Sequence, residues 1–247
     1  MGTNMNRYLP LALICLLTGC SSLTTVKDTS GEPLYISHTY TQTEPKPTVI
    51  IAHGCDGLTT SSYNQWARLV HSWGYNTILN DSFSKRWVGD TCGNIGKVTA
   101  NERANDMIEI AKFVKQQPWH KGKIAVIGFS HGGSTVLNLA AIKEQTEIAA
   151  VVAYYPGCFR SVVGRDISTF YIPAQMHIGL DDDWTAPGYC GDLTRFQGGG
   201  YLYFGATHAF DMPYPDHYYQ GHHIKYDSKA DKLAKERTKA FLAKELN

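Results

Sequence analysis

The chain has 247 residues, enough for one domain with a sizeable core or for two small domains. Hydrophobic residues make up 43% of it and charged residues 18%, which is typical of a globular protein. The formal net charge of +1 lacks the basic excess that binding to nucleic acid requires, so we expect no nucleic-acid partner.

The first twenty residues are predicted to be a targeting segment outside the fold. Arg7 precedes an apolar run from Tyr8 to Leu17 that is too short to span a bilayer. The run ends in Leu-Thr-Gly-Cys, which resembles the lipobox of bacterial lipoproteins. This resemblance implies a signal peptide over residues 1–19 and a lipid anchor on Cys20, which would tether the protein to a membrane. An ordinary signal peptide with a chance cysteine is the alternative.

Ser21 favours the outer membrane if the cell has one, so we expect a location in the bacterial cell envelope, facing the periplasm or the surface. Residues 20–33 comprise the lipidated cysteine and a stretch rich in Ser, Thr, Lys and Gly, which predicts a tether. Export also predicts an oxidising compartment. Without Cys15 and Cys20, four cysteines remain, and four cysteines allow three disulfide pairings.

Residues 34–247 are predicted to form a single domain in which strands alternate with helices. Strand patterns, short and rich in apolar residues, occupy seven segments: 34–40, at the sheet edge, then 48–52, 75–79, 124–127, 148–155, 172–178 and 201–205. Helical patterns occupy four segments: Tyr63 to about Gly74, a capping box at Thr99–Glu102 continuing to Pro118, Gly133 to about Lys143, and Ala230–Leu246. This alternation favours an α/β architecture with a mostly parallel sheet.

The most informative stretch runs from Ile124 to Gly133. Apolar residues lead directly into Gly-Phe-Ser-His-Gly, as expected of a buried strand that turns sharply into a helix. Gly128 and Gly132 lack the Cβ that such a turn excludes, and Ser130 would lie at its tip, over the carboxyl edge of the sheet. This pattern is typical of a nucleophile elbow, and a structural turn with a chance Gly-x-Ser-x-Gly match is the alternative.

A serine hydroxyl needs a base within hydrogen-bond reach, and the base needs an acceptor that fixes its tautomer. At such an elbow the order along the chain is serine, then Asp or Glu, then histidine, each after a strand. Ser130 is followed by the Asp181–Asp183 cluster after one predicted strand and by His208 after the next. The segment from His217 to Tyr226 has no spacing suited to a metal ion, so we predict a polar surface loop there.

Three motifs together resemble the dienelactone hydrolase family: Gly-Phe-Ser-His-Gly-Gly at 128–133, the loop at 179–187, and Gly-Ala-Thr-His-Ala-Phe at 205–210. Segments 53–58 and 81–86 also fit the secreted branch of that family, whose nucleophile is serine. The resemblance covers the chain from about Leu34 to the last helix. It implies the α/β-hydrolase fold, with a mostly parallel sheet flanked by helices on both faces, and a hydrolase acting on ester bonds.

Carried over residue by residue, the resemblance makes Ser130 the nucleophile, His208 the base and Asp182 the orienting acid. Asp183 remains an alternative for the acid, because three aspartates stand in a row. Catalysis by these three residues would use no metal and no organic cofactor, so none is expected.

The family also implies an oxyanion hole made of two backbone N–H groups, those of His131 and Cys55. Founding members grip a substrate carboxylate with two arginines. Lys85 or Arg86 could stand for one of these, but Met212 occupies the place of the other. The expected substrate is therefore an ester less charged than dienelactone.

The implied fold selects a disulfide pairing, which spacing alone cannot do. In the family's sheet the strands that precede Cys55 and Cys92 are neighbours, and so are the strands that precede Cys158 and Cys190. We therefore predict the bonds Cys55–Cys92 and Cys158–Cys190, both bracing loops at the candidate site.

The leading hypothesis is an envelope-anchored serine hydrolase that cleaves a carboxylic ester, or a related small acyl compound, through an acyl-enzyme on Ser130. A thioesterase or a peptidase is the alternative within enzymes. The alternative outside enzymes is a catalytically silent lipoprotein that uses the same fold for binding. The sequence leaves the acyl group, the alcohol and the oligomeric state open.

Overall fold

The computed structural model describes residues 24–27, 31, 33–59 and 61–247. The predicted signal peptide, residues 1–19, and the predicted lipidation site Cys20 lie outside this part of the chain. None of the helices within it combines the length and the apolar character that crossing a bilayer requires.

Eight strands form one sheet: β1 (Thr24–Lys27), β2 (Pro33–Tyr40), β3 (Lys46–Ala52), β4 (Asn76–Asp81), β5 (His120–Phe129), β6 (Ala150–Tyr154), β7 (Ala174–Gly179) and β8 (Gly200–Tyr203). Their spatial order is β1-β2-β4-β3-β5-β6-β7-β8. Neighbouring strands from β4 to β8 in this order run parallel. Strand β2 pairs antiparallel with both of its neighbours, β1 and β4. The predicted α/β class with a mostly parallel sheet is confirmed.

In the described part of the chain five α-helices accompany the sheet: α1 (Ser62–Ser72), α2 (Ala100–Lys115), α3 (His131–Ala140), α4 (Arg160–Val163) and α5 (Ser228–Leu246). Helices α2 and α3 pack together on one face, whereas α1 and α5 both reach the ring of Tyr154 from the other. The predicted capping box begins α2, because Thr99 Oγ1 accepts the Glu102 N–H and the Glu102 carboxylate accepts the Thr99 N–H.

The central strands are buried on both faces, which is why they read as continuous apolar runs in the sequence. Strand β6 is buried along its whole length, and β5 is buried from Ile124 to Phe129. Burial of these rows anchors the sheet, so the loops at the carboxyl ends of the strands are held in fixed positions at one edge. The predicted site residues all follow such strand ends.

The N-terminal edge differs from the prediction. Residues Thr24–Lys27 of the predicted tether form strand β1, which pairs antiparallel with Pro33–Ile36 of β2. As a result β2, predicted at the edge, lies between β1 and β4. Burial explains the extra strand, because Val26 is only 7% exposed and joins the hydrophobic core. The sequence did not predict this strand, because Val26 is the one apolar residue in a segment of polar composition.

The predicted polar loop after His217 is also different. It forms a two-stranded hairpin of β9 (His217–Tyr219) and β10 (His222–Ile224), which we call the rim hairpin. Gln220 and Gly221 both have positive φ, 53° and 86°, as the tight turn between twisted strands requires. A lone parallel bridge between Ile224 and His208 ties the rim hairpin to the candidate site.

The structure contains both predicted disulfides. Cys55–Cys92 joins the loop after β3 to the loop after β4, and Cys158–Cys190 joins the loop after β6 to the loop after β7. Each bond therefore connects loops that follow spatially adjacent strands at the carboxyl edge of the sheet.

Candidate active site

Ser130 lies at a strained turn between β5 and α3. Its φ of 52° and ψ of −116° are unusual for a residue with a side chain. The strain is held by packing and hydrogen bonding, since the Ser130 N–H donates to the Tyr154 carbonyl at 3.0 Å. A Cβ on Gly128 would meet the Gly132 carbonyl oxygen at 2.1 Å, and a Cβ on Gly132 would meet the Ala52 carbonyl oxygen at 2.3 Å. Both glycines are thus required by close backbone approach.

The three residues singled out in the sequence meet at this turn. Ser130 Oγ lies 3.0 Å from His208 Nε2, and His208 Nδ1 lies 2.9 Å from Asp182 Oδ2. The side chains come from three loops, after β5, β7 and β8, that open on one edge of the sheet. With Asp182 accepting the Nδ1–H, His208 Nε2 is left as the acceptor for the serine hydroxyl.

Asp182 is held by a local turn of its own loop. Its Oδ1 accepts the N–H groups of Trp184 and Thr185 at 3.0 and 2.8 Å, and its Oδ2 accepts the Thr185 hydroxyl at 2.7 Å. Burial acts to raise the pKa of Asp182, but the facing His208 and these hydrogen bonds outweigh it, so the pKa lies below its usual value. The carboxylate is therefore kept ionised behind the imidazole.

The ambiguity among the three aspartates has a geometric answer. Asp182 is 3% exposed and contacts His208, whereas Asp183 is exposed and its Oδ1 lies 3.3 Å from Nδ1 of His222 in the rim hairpin. Asp181 is exposed as well. Only the middle member of the cluster reaches the histidine beside Ser130.

Two aromatic rings enclose the His208 imidazole. Tyr155 meets it edge-on with ring centroids 4.6 Å apart, and Trp184 lies on it at 5.1 Å. Trp184 in turn stacks on His222 of the rim hairpin at 4.8 Å. Sequence reasoning missed Trp184 and Thr185, although the spacing Asp-x-x-Thr is a common turn signal.

The loop after β3 brings backbone close to the nucleophile. A Cβ on Gly54 would lie 3.5 Å from the Ser130 Cβ. Tyr63 on α1 fixes this loop, because its hydroxyl accepts the Gly54 N–H at 2.9 Å and donates to the Asp56 carboxylate at 2.8 Å. The Cys55 carbonyl accepts the Thr91 N–H at 2.8 Å. The loop is thus braced on both sides of the Cys55 N–H, one of the two predicted oxyanion donors.

A buried arginine lies beneath this loop. Arg103 on α2 is fully buried, its Nη2 donates to the His53 carbonyl at 2.6 Å, and its guanidinium lies over the Phe83 ring. Burial, with Arg103 as the next cause, lowers the pKa of His53 well below its usual value and that of His131 to about 3. Both histidines therefore stay neutral beside Ser130.

Two clefts open on either side of Ser130. The first, which we call the His208 cleft, has a volume of about 240 Å³ and is lined by His208, Tyr155, Met212, Tyr214, Tyr219 and Ile224. The second, the His131 cleft, has a volume of about 330 Å³ and is lined by His131, Ser134, Gly157, Phe159, Val162 and Ile95. Ser130, Trp184 and the Cys55–Cys92 disulfide belong to both walls.

The structure does not bring Lys85 and Arg86 to these clefts. Lys85 Nζ lies 3.2 Å from Asp106 Oδ1, and Arg86 Nη1 lies 2.7 Å from Asp106 Oδ2. Among the described residues that line either cleft there is no lysine and no arginine. The same part of the chain holds no group of three His, Cys, Asp or Glu side chains that could bind a metal ion.

A mostly parallel sheet covered by helices, with a strained serine at a strand-to-helix turn, defines an α/β-hydrolase. The sequence profile of the dienelactone hydrolase family matches residues 35–246. The chain belongs to the dienelactone hydrolase family and is a hydrolase that acts on ester bonds.

Solved structures share the fold over nearly the whole chain. A dienelactone hydrolase from Anabaena variabilis is 16% identical with a TM-score of 0.65, covering 92% of this chain and 98% of its own. Est1E from Butyrivibrio proteoclasticus is 16% identical with a TM-score of 0.63, covering 91% and 99%. An esterase from Pyrococcus furiosus is 16% identical with a TM-score of 0.67, covering 99% and 98%. At these identities the likeness shows the fold.

Two curated relatives match part of the chain. Acylamino-acid-releasing enzyme 1 from Oryza sativa subsp. japonica is 28% identical over 139 residues, which is 53% of this chain and 17% of that enzyme. Acylamino-acid-releasing enzyme 2 from the same plant is 26% identical over 190 residues, 74% of this chain and 22% of that enzyme. The alignments thus cover about a fifth of the length of those relatives.

Proposed function

We propose that the protein is a serine hydrolase that cleaves a carboxylic ester through an acyl-enzyme on Ser130. The observation that carries the proposal is the pair of contacts from Ser130 Oγ to His208 Nε2, 3.0 Å, and from His208 Nδ1 to Asp182 Oδ2, 2.9 Å. These are the distances at which a base can take the serine proton while a carboxylate stabilises the resulting imidazolium.

In the first half of the reaction, Ser130 Oγ attacks the ester carbonyl carbon while its proton passes to His208 Nε2. The carbonyl oxygen becomes an oxyanion in a tetrahedral intermediate. When the intermediate collapses, the bond to the alcohol oxygen breaks and the alcohol leaves with the proton from Nε2. An acyl-enzyme remains, and His208 is neutral again.

In the second half, water takes the place of the alcohol. His208 Nε2 removes a proton from the water as it attacks the acyl carbon, and the same proton returns to Ser130 Oγ when the acid departs. In both halves the oxyanion would be bound by the N–H groups of His131 and Cys55. Losing one such donor typically costs about 3 kcal/mol of transition-state stabilisation.

A fluorophosphonate probe tests the nucleophile directly, because it reacts with an activated serine and needs no knowledge of the natural substrate. We expect the wild type to be labelled and Ser130→Ala to be unlabelled, while Ser72→Ala, an exposed serine on α1, is labelled like the wild type. Circular dichroism checks that each variant is folded. Labelling of folded Ser130→Ala would refute the proposal, and absence of labelling in the folded wild type would favour the silent binding protein.

A peptidase is the second candidate, and the similarity to two acylamino-acid-releasing enzymes favours it. The same three residues could cleave an amide by the same steps. Comparing kcat/KM for an acetyl ester and for the matching acetylated amino-acid anilide separates the two. We expect the ester to be preferred, and a preference for the anilide would assign the peptidase.

We further propose, from the sequence, that Cys20 carries a lipid anchor that holds the enzyme in the cell envelope. Palmitate labelling of a bacterial host expressing the full chain tests this proposal. We expect label on the wild type and none on Cys20→Ser, while Cys15→Ser, in the predicted signal peptide, is labelled like the wild type. Equal labelling of Cys20→Ser would refute the anchor.

A further inference from the structure

Each of the two clefts beside Ser130 is lined by a different histidine. His208 lines the His208 cleft only, while His131 lines the His131 cleft only. Both clefts reach Ser130 and share Trp184. An ester bound across Ser130 would therefore place its two halves in different surroundings.

Proton transfer determines which half goes where. The departing alcohol oxygen must take its proton from His208 Nε2, so this oxygen has to lie within hydrogen-bond reach of that atom. Nε2 already lies 3.0 Å from Ser130 Oγ, and His208 lines this cleft together with Met212 and Ile224. The alcohol portion therefore extends into the His208 cleft.

The acyl substituent must leave the tetrahedral carbon in another direction. One direction is taken by the alcohol, and a second is taken by the oxyanion, which faces the backbone at Cys55 and His131. The space that remains is the His131 cleft, which begins at the first turn of α3 and ends at Phe159 and Val162. The acyl portion therefore extends toward α4.

The His208 cleft is built for a flat apolar group. Five aromatic side chains line it: Tyr63, Tyr155, Trp184, Tyr214 and Tyr219. Rings of this kind bind another ring by stacking and edge contacts. The acidic side chain in its wall, Asp56, accepts a hydrogen bond from Tyr63, so it presents an acceptor and would repel a substrate carboxylate.

The His131 cleft has an apolar end wall. Phe159 and Val162 form it together with Ile95, and the Phe159 ring packs on Tyr189 with centroids 3.9 Å apart. The Cys158–Cys190 bond fixes both rings, because each follows or precedes a bonded cysteine. The neutral His131 adds no charge to this cleft. Such a wall accommodates an aliphatic chain and sets its length.

We propose that the natural substrates are uncharged esters with an aromatic alcohol portion in the His208 cleft and an aliphatic acyl portion in the His131 cleft. This inference rests on the proposed function. It adds that Val162 limits the acyl chain, that Thr59 borders the alcohol portion and that Tyr219 stacks on it.

Two filling variants test the assignment: Val162→Trp, at a half-buried position, and Thr59→Trp, at an exposed one. The acyl ratio is kcat/KM for p-nitrophenyl octanoate over p-nitrophenyl acetate. The alcohol ratio is kcat/KM for benzyl acetate over methyl acetate. We expect Val162→Trp to lower the acyl ratio roughly tenfold and the alcohol ratio less than about twofold. We expect Thr59→Trp to lower the alcohol ratio roughly tenfold and the acyl ratio less than about twofold.

Truncations to alanine remain informative if a tryptophan disturbs folding. We expect Val162→Ala to raise only the acyl ratio and Tyr219→Ala to lower only the alcohol ratio, since Tyr219 contributes a stacking ring. Finding that Val162 variants move the alcohol ratio, that each variant moves both ratios equally, or that no variant moves either ratio would overturn the assignment.

The charge of the substrate gives an independent test of the proposal. We expect the half-ester benzyl succinate to have a kcat/KM roughly tenfold or more below that of benzyl butyrate, because no lysine or arginine among the described residues lines either cleft and Asp56 lines the His208 cleft. Equal rates would overturn the uncharged class. Failure of the proposed function has a different signature, which is turnover or probe labelling that persists in Ser130→Ala.

Discussion

The elbow, residues 128–133, and the C-terminal rim, residues 181–226, hold the two halves of the site by different means. At the elbow the backbone itself sets the geometry, since two glycines let a strand and a helix approach within contact distance. At the rim, side chains from three loops interlock: Asp182 with Thr185, His208 with Trp184, and Trp184 with the rim hairpin. Ser130 is therefore placed by close backbone contacts that leave no room for a larger residue, and His208 by a network of contacts that can be weakened in steps.

The strongest test of the elbow is Gly132→Ala. The new Cβ would lie 2.3 Å from the Ala52 carbonyl oxygen and 2.5 Å from that of His53, and backbone atoms cannot move aside cheaply. We expect a loss of several kcal/mol in the free energy of unfolding, with little soluble enzyme. Gly188→Ala is the matched control, because a Cβ there would meet nothing within 4 Å. A Tm of Gly132→Ala within about 2 °C of the wild type would contradict the steric account.

At the rim, Asp182→Asn should have the largest effect on activity. An amide can donate to His208 Nδ1 and so favour the tautomer that cannot accept the Ser130 proton. The expected fall in kcat is about 10⁴-fold, with little change in Tm.

The neighbouring substitution Asp183→Asn serves as the control. Asp183 pairs with His222 at the exposed side of the rim, so its kcat should stay within about threefold of the wild type. Equal losses in the two variants would mean that the cluster acts as a whole and that Asp182 has no special role.

A smaller effect, on the pH dependence of stability, is expected at Asp211, where the rim meets α1. Burial raises the pKa of Asp211 to about 6, while its Oδ2 accepts the Trp66 Nε1–H at 2.6 Å. The folded protein thus holds this proton more tightly than the unfolded chain, whose carboxyl titrates near ~3.9. The free energy of unfolding therefore falls as the pH rises from about 4 through 6.

Asp211→Asn removes this pH-dependent fall in the free energy of unfolding, and the amide oxygen can still accept the Trp66 Nε1–H. Relative to the wild type, the variant should gain up to about 3 kcal/mol of stability between pH 4 and pH 7, which denaturant melts at both pH values can measure. A stability difference that is the same at the two pH values would show that Asp211 does not titrate in this range.

The mildest test concerns the rim hairpin. His222→Ala removes the ring stacked on Trp184 and the partner of Asp183, and should lower kcat/KM by roughly twofold to fivefold through a looser His208. His223→Ala is the control, because His223 contacts Tyr218 and Asp216 within the hairpin region and does not reach Trp184. Equal effects of the two variants would point to the hairpin's stability as the cause.

The contrast between the two regions also explains what the sequence could predict. The elbow is local, so glycine spacing and an apolar run were enough to place Ser130 in a sharp turn. The order of strands and the motifs around Asp182 and His208 were enough to bring the three side chains to one edge. Both disulfides followed from strand adjacency in the implied fold.

The rim could not be predicted to the same depth, because its contacts join residues distant along the chain. Nothing adjacent to Trp184 indicates that it contacts His208 and stacks on His222. The Gln-Gly turn of the hairpin lacks the usual Asn-Gly or Asp-Gly signal. Lys85 or Arg86 was a candidate for one substrate contact, but the buried carboxylate of Asp106 on α2 binds both side chains away from the clefts.

On the proposed function, the Cys55–Cys92 bond would make activity depend on the oxidation of two cysteines. It braces a proposed oxyanion donor and forms part of the wall of both clefts, whereas the sheet beneath depends on neither cysteine. In a chain with both thiols reduced, the sheet and the turn at Ser130 would be in place, but the disulfide would not hold the loop that carries the Cys55 N–H. On the proposed function, such a chain would be less active than one in which the disulfide has formed.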